Sequence, residues 1–541
     1  MEHILTLFEN VVRQQWDKPA LSNFHGEVFT YGRTAMEIAK LHLIYKGLGL
    51  EKGERISIAA GNSAQWATVF LATLSYHAVA VPILAEFTPE NILTLANHSE
   101  SQILFTDRAN FRMMKNEMMG SIRAVVGIDD FSLLYAETDD VRVAFEQSDR
   151  MFAETYRNGL EPHMVHYETG SSDELVVINY TSGTTGTPKG IMIPARALNS
   201  NIAYALKYIP ATPGSDIISM LPMGHMYGLA FEFLYPLMAG CHIHFLAKVP
   251  SPTILLTAFS EIRPYIFITV PLVVEKIIKN KVMPLLDKPV VRVLTHLPGV
   301  SNFIYAKIRR SFMNALGGNV CTIPIGGAAL NPEVEKILLK AKIPISIGYG
   351  MTECAPLIGY EKDFSVKGSC GKVVDNMQVR IDSDNPHCVA GEIQVKGANV
   401  MLGYFKNEDA TKAAFTDDGW MKTGDLGVID RKGNIFIKGR SKFMILTSNG
   451  QNIYPEEIEA VINALPLVSE SIVVERDRQL VAIVSLIDKP AQNEDTGKTA
   501  DDIRRGVNAQ LPGYSRLSKV EILKDDFVHT PKHSIKRNLY S

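Results

Sequence analysis

Up to about residue 440 the chain alternates apolar stretches at helical spacing with short β-branched runs such as Leu175 to Ile178 and Ile343 to Ile347. That alternation is the mark of helices layered on sheets, and nothing else in the sequence constrains the fold as strongly. At 541 residues the chain exceeds what one core accommodates, so two or more domains are expected. One unit shows the pattern in full. Asn331 is a good helix N-cap, Pro332 suits the first helical position, and Val334, Ile337, Leu338 and Ala341 follow at helical spacing. Ile343, Ile345 and Ile347 then alternate as a strand, and GYGMTE begins where that strand is expected to end. In open α/β sheets ligands gather at the carboxyl ends of strands, so motifs that follow strands are expected to line one crevice.

After Lys442 the pattern changes to a compact module. Strands are expected near Ser471 to Val474 and Leu480 to Leu486, with a helix starting at Pro455 whose buried face is Ile458, Val461, Ile462 and Leu465. Asp488 to Asp502 is charged and polar and reads as a solvated loop. At the N-terminus Ile4, Leu7, Phe8 and Val11 describe an amphipathic helix, with Glu2 and Glu9 arguing against a signal peptide. Ile56 to Ala85 carries no Asp, Glu, Lys or Arg, but Asn62, Ser63, Gln65, His77 and Pro82 interrupt it, so it reads as buried helix and strand and not as a membrane span. With 46% hydrophobic and 21% charged residues and a net charge of −3, the chain is of ordinary globular composition, with no electrostatic case for a nucleic-acid partner. The five cysteines, Cys241, Cys321, Cys354, Cys370 and Cys388, are scattered, which points to a reducing, cytoplasmic setting. The Cys241 to His244 run, CHIH, lacks a second ligand pair and reads as core strand rather than a metal site.

The run YTSGTTGTPKG, Tyr180 to Gly190, carries the first chemistry. Gly183 and Gly186 permit close backbone approach to a ligand, the hydroxyls of Thr181, Ser182, Thr184 and Thr185 can donate to phosphate oxygens, and Lys189 adds a point charge. It is not a Walker A loop, because Pro188 precedes the lysine and Gly190 follows it where that motif has Ser or Thr.

Further motifs follow in order: LPMGHMYG (Leu221 to Gly228), IGGAAL (Ile325 to Leu330), GYGMTE (Gly348 to Glu353), TGDLG (Thr423 to Gly427), KGRSK (Lys438 to Lys442) and NGQNIYPEEIE (Asn449 to Glu459). Together with the first run they resemble the adenylate-forming superfamily of acyl-CoA synthetases, peptide-synthetase adenylation domains and luciferases, over nearly the whole chain. The resemblance implies an α/β N-terminal region, residues 1–441, of two sheet-containing subdomains and a distorted β-barrel. A small mobile α+β lid, residues 442–541, would turn about a hinge at Lys442. It also implies ATP, Mg²⁺ and coenzyme A as partners, and an AMP-forming acyl-CoA synthetase. By the same resemblance Thr181 to Gly186 and Lys189 hold phosphate, Gly326, Gly327 and Ala328 line the substrate carboxylate and nucleotide, and Thr352 and Tyr349, between Gly348 and Gly350, meet phosphate and adenine. Asp425 and Arg440 hold the ribose, Lys438 touches the nucleotide, His225 faces the acyl group, and Gly450 borders the thioester channel. Glu353 suits Mg²⁺, a hard cation that takes carboxylate oxygen, with Thr181 beside it. No motif supplies an ionic partner for a distal polar group, which favours an alkyl chain over an amino acid, and Gly228 and Ala329 are read as leaving room for its length.

The chain departs from that family at one place. Where the family has a catalytic lysine just before Ile-x-Arg, this sequence reads TPKHSIKRNLY with Ser534 in the lysine position. Lys532 and Lys536 lie two residues to either side, on the same face of an extended strand and roughly 6 to 7 Å along it. Three readings stay open: a fatty acyl-CoA ligase, a ligase that loads an acyl carrier protein, and an impaired nucleotide- or acyl-binding homologue. No transmembrane segment is expected, and peripheral membrane contact is left open.

Overall fold

The alternation read from the sequence folds into three sheets whose strands, apart from Gly403–Tyr404, lie before residue 376, followed by an antiparallel sheet and a separate C-terminal module. The computed structural model describes residues 1–181, 188–246, 252–297, 299–362, 366–446, 452–476, 479–491, 495–512, 515–530 and 535–540. The largest sheet has eight strands. Its middle, Leu175–Thr181, Val79–Ile83, Arg55–Ala59, Ser101–Thr106 and Ala124–Gly127, is parallel, and antiparallel neighbours close both sides. The charge-free stretch from Ile56 supplies two of these strands and the wholly buried helix Ala64–Ser75. Burial on every side explains its lack of charge, and among the described residues no helix is long and apolar enough to cross a membrane.

A second sheet orders Asp216–Ser219, His242–Phe245, Pro19–Asn23 and Val28–Thr30. Single bridges through Ile266 and Thr269 join it towards a third sheet of Ile323–Ile325, Ile345–Gly350, Leu357–Glu361 and Lys372–Val373. The fourth sheet, Met377–Asp382, Gly391–Gly397, Met421–Ile429 and Ile435–Arg440, is antiparallel and touches the third at Lys372 and Asn434. It stands where the distorted barrel was expected.

Beyond residue 444 the module contains the helix Pro455–Asn463 and the sheet Val468–Arg476, Gln479–Leu486 and Lys519–Leu523. Its two apolar clusters, one around Ile458, Ile462, Ala482 and Val507 and the other around Ile472, Ile483 and Phe527, draw on no residue before Ile445. Two local expectations need correction. The strand from Ile345 runs on to Gly350, because Leu357–Glu361 folds back and pairs with it, so the first residues of GYGMTE lie within the strand. The supposed loop Asp488 to Asp502 gives way to the helix Gly497–Asn508; Ile503 and Val507 alone make its buried face, too short an apolar repeat to be seen by periodicity. The N-terminal helix Ile4–Gln14 and the Asn331-capped helix Pro332–Lys340 form as expected, Asn331 accepting from the Glu333 and Val334 N–H groups. All five cysteines are free.

Candidate active site

Three of the sequence motifs meet at Asp425. Strand pairing sets Asp425 opposite Arg440, and the Arg440 Nε lies 2.8 Å from Asp425 Oδ1. Tyr349, on the strand Ile345–Gly350, donates its hydroxyl to Asp425 Oδ2 at 2.7 Å. Thr423 shapes the turn: its Oγ1 receives the Asp425 N–H at 3.1 Å and donates to the Ile393 carbonyl at 2.8 Å. Asp425 is only 4% exposed. Burial pushes its carboxyl above the usual range, against the opposing pull of Arg440, Tyr349 and Lys442. Each carboxylate oxygen keeps a lone pair after these contacts, so the group can still accept from paired hydroxyls. The Tyr349 hydroxyl is committed to Asp425, and burial followed by that neighbouring charge raises its pKa well above the normal value.

A second cluster gathers Thr181, Lys189 and Glu353. Thr181 and Lys189 face each other across the antiparallel strands Leu175–Thr181 and Lys189–Pro194; Ser182, Gly183, Thr184, Thr185 and Gly186 between them lie outside the described residues. The Lys189 Nζ stands 4.8 Å from the centre of the Tyr404 ring, and the Tyr404 hydroxyl donates to Glu353 Oε1 at 3.0 Å. Burial, then the charge of Glu353, raises the Tyr404 pKa. Thr352 opens the single turn Thr352–Cys354, and its carbonyl accepts the Ala355 N–H at 3.1 Å. Sequence reasoning passed over Tyr404, which links the lysine to the carboxylate. The one signal was a lone Gly-Tyr pair outside every motif.

The loop Leu221 to Gly228 is held from outside. Asn62 donates to the Leu221 carbonyl at 2.7 Å and accepts the Met223 N–H at 2.9 Å, while Asn179 donates to the Gly224 carbonyl at 2.8 Å. Buried Glu232 accepts the Met220 and Leu221 N–H groups at 2.8 and 2.7 Å, and burial raises its pKa well above the ordinary carboxylate value. Tyr227 donates towards the Thr269 and Pro324 carbonyls at 3.2 and 3.3 Å, and a Cβ on Gly326 would meet its ring at 3.2 Å and the Gly348 carbonyl at 3.4 Å. Gly326 thus lets the motifs at 221–228, 325–330 and 348–353 converge. Gly327, with φ of +91°, takes a left-handed turn, and it and Ala328 are exposed. The reading of Gly228 as spare room does not hold: a Cβ there would meet the Pro222 carbonyl at 2.7 Å, so the glycine serves close packing. His225 is half-buried, its N–H on the Pro222 carbonyl at 3.0 Å and its carbonyl accepting the Leu229 N–H at 2.9 Å.

The C-terminal module meets this site through charged groups. Lys438, expected at the nucleotide, pairs with Glu457 at 3.0 Å, and the Arg440 N–H donates to Glu456 Oε1 at 3.2 Å. Lys442 stands 4.7 Å from the centre of the Phe443 ring, and Arg537 lies 4.5 Å from the same centre. Partial withdrawal from water, then the charges of Arg440 and Arg537, lowers the Lys442 pKa. Arg537 also bonds Glu459, which ties the C-terminal residues to the helix Pro455–Asn463. Lys536 is exposed, its N–H on the Val528 carbonyl at 2.8 Å; Lys532, Ser534 and Gly450 lie outside the described residues.

Beside the multi-sheet body that carries the buried Asp425–Arg440 pair and the Lys189–Tyr404–Glu353 cluster stands a small C-terminal module with an apolar core of its own. Residues 8–405 match the family model described as AMP-binding enzyme, and residues 443–541 match its C-terminal domain. The chain belongs to the AMP-binding enzyme family, within the adenylate-forming superfamily, and is an AMP-forming acid–thiol ligase. It is 29% identical to the long-chain-fatty-acid–CoA ligase FadD15 of Mycobacterium bovis, over 94% of this chain and 90% of that one. It is 26% identical to 4-coumarate–CoA ligase 1 of Petroselinum crispum, over 95% and 89%. The ATP-bound crystal structure of MatB from Rhodopseudomonas palustris shares the fold, with a TM-score of 0.76 at 24% identity over 99% of this chain and 98% of that one.

Proposed function

We propose that the protein activates an apolar carboxylic acid, a medium- or long-chain fatty acid, as its acyl-AMP and passes the acyl group to coenzyme A. The carrying observation is the Tyr349–Asp425–Arg440 junction, which unites three motifs around one buried carboxylate. In this reading a substrate carboxylate oxygen attacks the α-phosphorus of ATP and pyrophosphate leaves. The CoA thiolate then attacks the acyl carbon and AMP leaves. Asp425 accepts the two ribose hydroxyls and Arg440 supports it; Lys189 and the loop from Thr181 neutralise phosphate charge, and Gly326 to Ala328 pass the acyl-phosphate atoms without side-chain obstruction. Glu353, with an oxygen beyond the one given to Tyr404, and the Thr181 hydroxyl are hard oxygen donors that fit Mg²⁺, which would neutralise triphosphate charge when bound. Residues 1–441 serve as the body and 442–541 as a lid turning at Lys442, with Gly450 on the thioester path. Lys532 or Lys536 takes the place left by Ser534. His225 borders the acyl group. The fatty-acid assignment draws on the named activity of the mycobacterial relative, and the scattered free cysteines suit a cytoplasmic setting.

The test is mass spectrometry of products from purified protein with MgATP, CoA and acids from acetate to palmitate, together with 4-coumarate. Acyl-CoA from the longer alkyl acids is the expected result. Acyl-AMP without thioester would move the acceptor to a carrier protein, and coumaroyl-CoA alone would overturn the alkyl assignment.

A further inference from the structure

The strand His242–Phe245 lies between Asp216–Ser219 and Pro19–Asn23 and runs parallel to both. Its alternation sends Cys241, Ile243 and Phe245 into the core and leaves His242 and His244 together on the opposite face. The sequence offered no further ligand for CHIH, and the fold supplies one. Asp216 stands in register with His242 on the neighbouring strand, and its Oδ1 lies 3.2 Å from His242 Nδ1 and 2.8 Å from His244 Nε2. The ligating atoms of all three side chains fall within 4.8 Å of one another, the only such group of three or more His, Cys, Asp or Glu among the described residues. The other nitrogen of His242, Nε2, is 2.5 Å from the Ser22 hydroxyl, which fixes the ring with Nδ1 towards Asp216. Ligating histidines are held in this way, the second ring nitrogen engaged by an outer partner.

We propose that Asp216, His242 and His244 form a transition-metal site suited to Zn²⁺, with Ser22 orienting His242 and water completing the coordination. Zinc bonds to imidazole nitrogen and carboxylate oxygen at about 2.0–2.2 Å, so the ligand atoms of a tetrahedral site stand roughly 3.3 Å apart. The His242–Asp216 separation of 3.2 Å already has that spacing, and the His244–Asp216 contact of 2.8 Å would have to lengthen slightly to admit the ion. Both histidines are 16% exposed at the side chain and Asp216 is 41% exposed, so the ligands are held by packing while one side stays open to water. Two nitrogens and one oxygen exclude Mg²⁺ as the preferred ion, so this site is distinct from the one that serves the nucleotide. Asp216 is the first residue of a strand whose far end leads into the loop 221–228. The metal would therefore join two neighbouring strands at the end of the sheet away from that loop, and Ser22 ties the third strand to His242 by a hydrogen bond.

The test uses tag-free, full-length protein stripped with a chelator. Calorimetric titration with ZnCl₂ is expected to give one ion per chain, with a rise in Tm on saturation that excess Mg²⁺ does not reproduce. His244→Ala and Asp216→Asn are expected to weaken binding at least tenfold and to lose the rise. Co²⁺ bound to the wild type is expected to show the intense visible absorption of a tetrahedral nitrogen–oxygen site, a readout that needs no variant to fold. Absence of stoichiometric zinc binding overturns the proposal. So does a thiolate-to-cobalt charge-transfer band, or unchanged affinity in the folded His242→Ala/His244→Ala protein.

Discussion

Asp425 in the body and Glu459 in the C-terminal module are both buried carboxylates that face an arginine, yet they are built for different ends. Arg440 reaches Asp425 with a side chain 46% exposed, and among the described residues the other side chain that hydrogen-bonds the carboxylate is the Tyr349 hydroxyl. Arg537 reaches Glu459 with a side chain 17% exposed, while the second oxygen of Glu459 takes the Val473 N–H at 2.7 Å. The first pair is closed on the protein side and open towards solvent, where a ligand can join it. The second is closed all round and fixes the C-terminal residues to the helix Pro455–Asn463. Exposure of the arginine, more than the presence of the pair, distinguishes the carboxylate proposed to bind a ligand from the one that locks the module.

The sharpest way to break the comparison is at Asp425. Asp425→Ala is expected to cut acid-dependent pyrophosphate release at low ATP by about tenfold or more, since a hydrogen bond to a charged group is worth about 1.5–3 kcal/mol, with Tm little changed. An unaltered rate would remove Asp425 from the site. Arg537→Ala should reverse this pattern. It leaves Glu459 buried without its cation, a change that typically costs about 3–5 kcal/mol, read by urea denaturation of the full chain. Adding Glu459→Gln should restore much of the loss, because the uncompensated charge disappears. If Arg537→Ala instead left stability intact and abolished activity, the lock would be a catalytic group.

Much of this was legible in the sequence, and the gaps have physical causes. Asp425, Arg440, Thr181, Lys189 and Glu353 stand in short ordered motifs, and the structure gathers them into two clusters because each motif sits at or beside a strand. What could not be read is which residue each would touch. Tyr349 spends its hydroxyl on Asp425 and Lys438 its charge on Glu457, choices made by strand pairing and by the lid across tens of residues. Tyr404, Asn62 and Asn179 were missed because each acts through long-range contacts and belongs to no local pattern. Gly228 was misread because a glycine needed for packing and one needed for space look alike until the neighbouring carbonyl is placed.

pH sharpens the contrast further. Burial raises the Asp425 carboxyl above its unfolded value, so the stability linked to it is fully present below the ordinary carboxylate range and is lost as pH rises through the elevated value. Asp425→Asn cannot titrate. The Tm of this variant minus that of the wild type should therefore become more positive from pH 4 to pH 8. A difference that stays flat, or moves the other way, would mean that Arg440 and Tyr349 outweigh burial and that the body's carboxylate is as fully compensated as a lock.

The smallest effect is expected where the two regions touch. Lys438 and Glu457 are 38% and 50% exposed at their side chains, so water and salt screen them, and such a pair contributes only about 0.2–1 kcal/mol. Lys438→Ala should lower stability by no more than this in low salt, and the difference from wild type should vanish at high ionic strength. The apolar clusters of the C-terminal module close without help from the body, so the contact between regions has little else to lose at this point. A weak, screened contact is also what the proposed turning of the module at Lys442 would require, because a strong one would hold it in a single orientation. A loss of several kcal/mol, insensitive to salt, would show instead that the module is fixed to the body as firmly as Arg537 is fixed to Glu459.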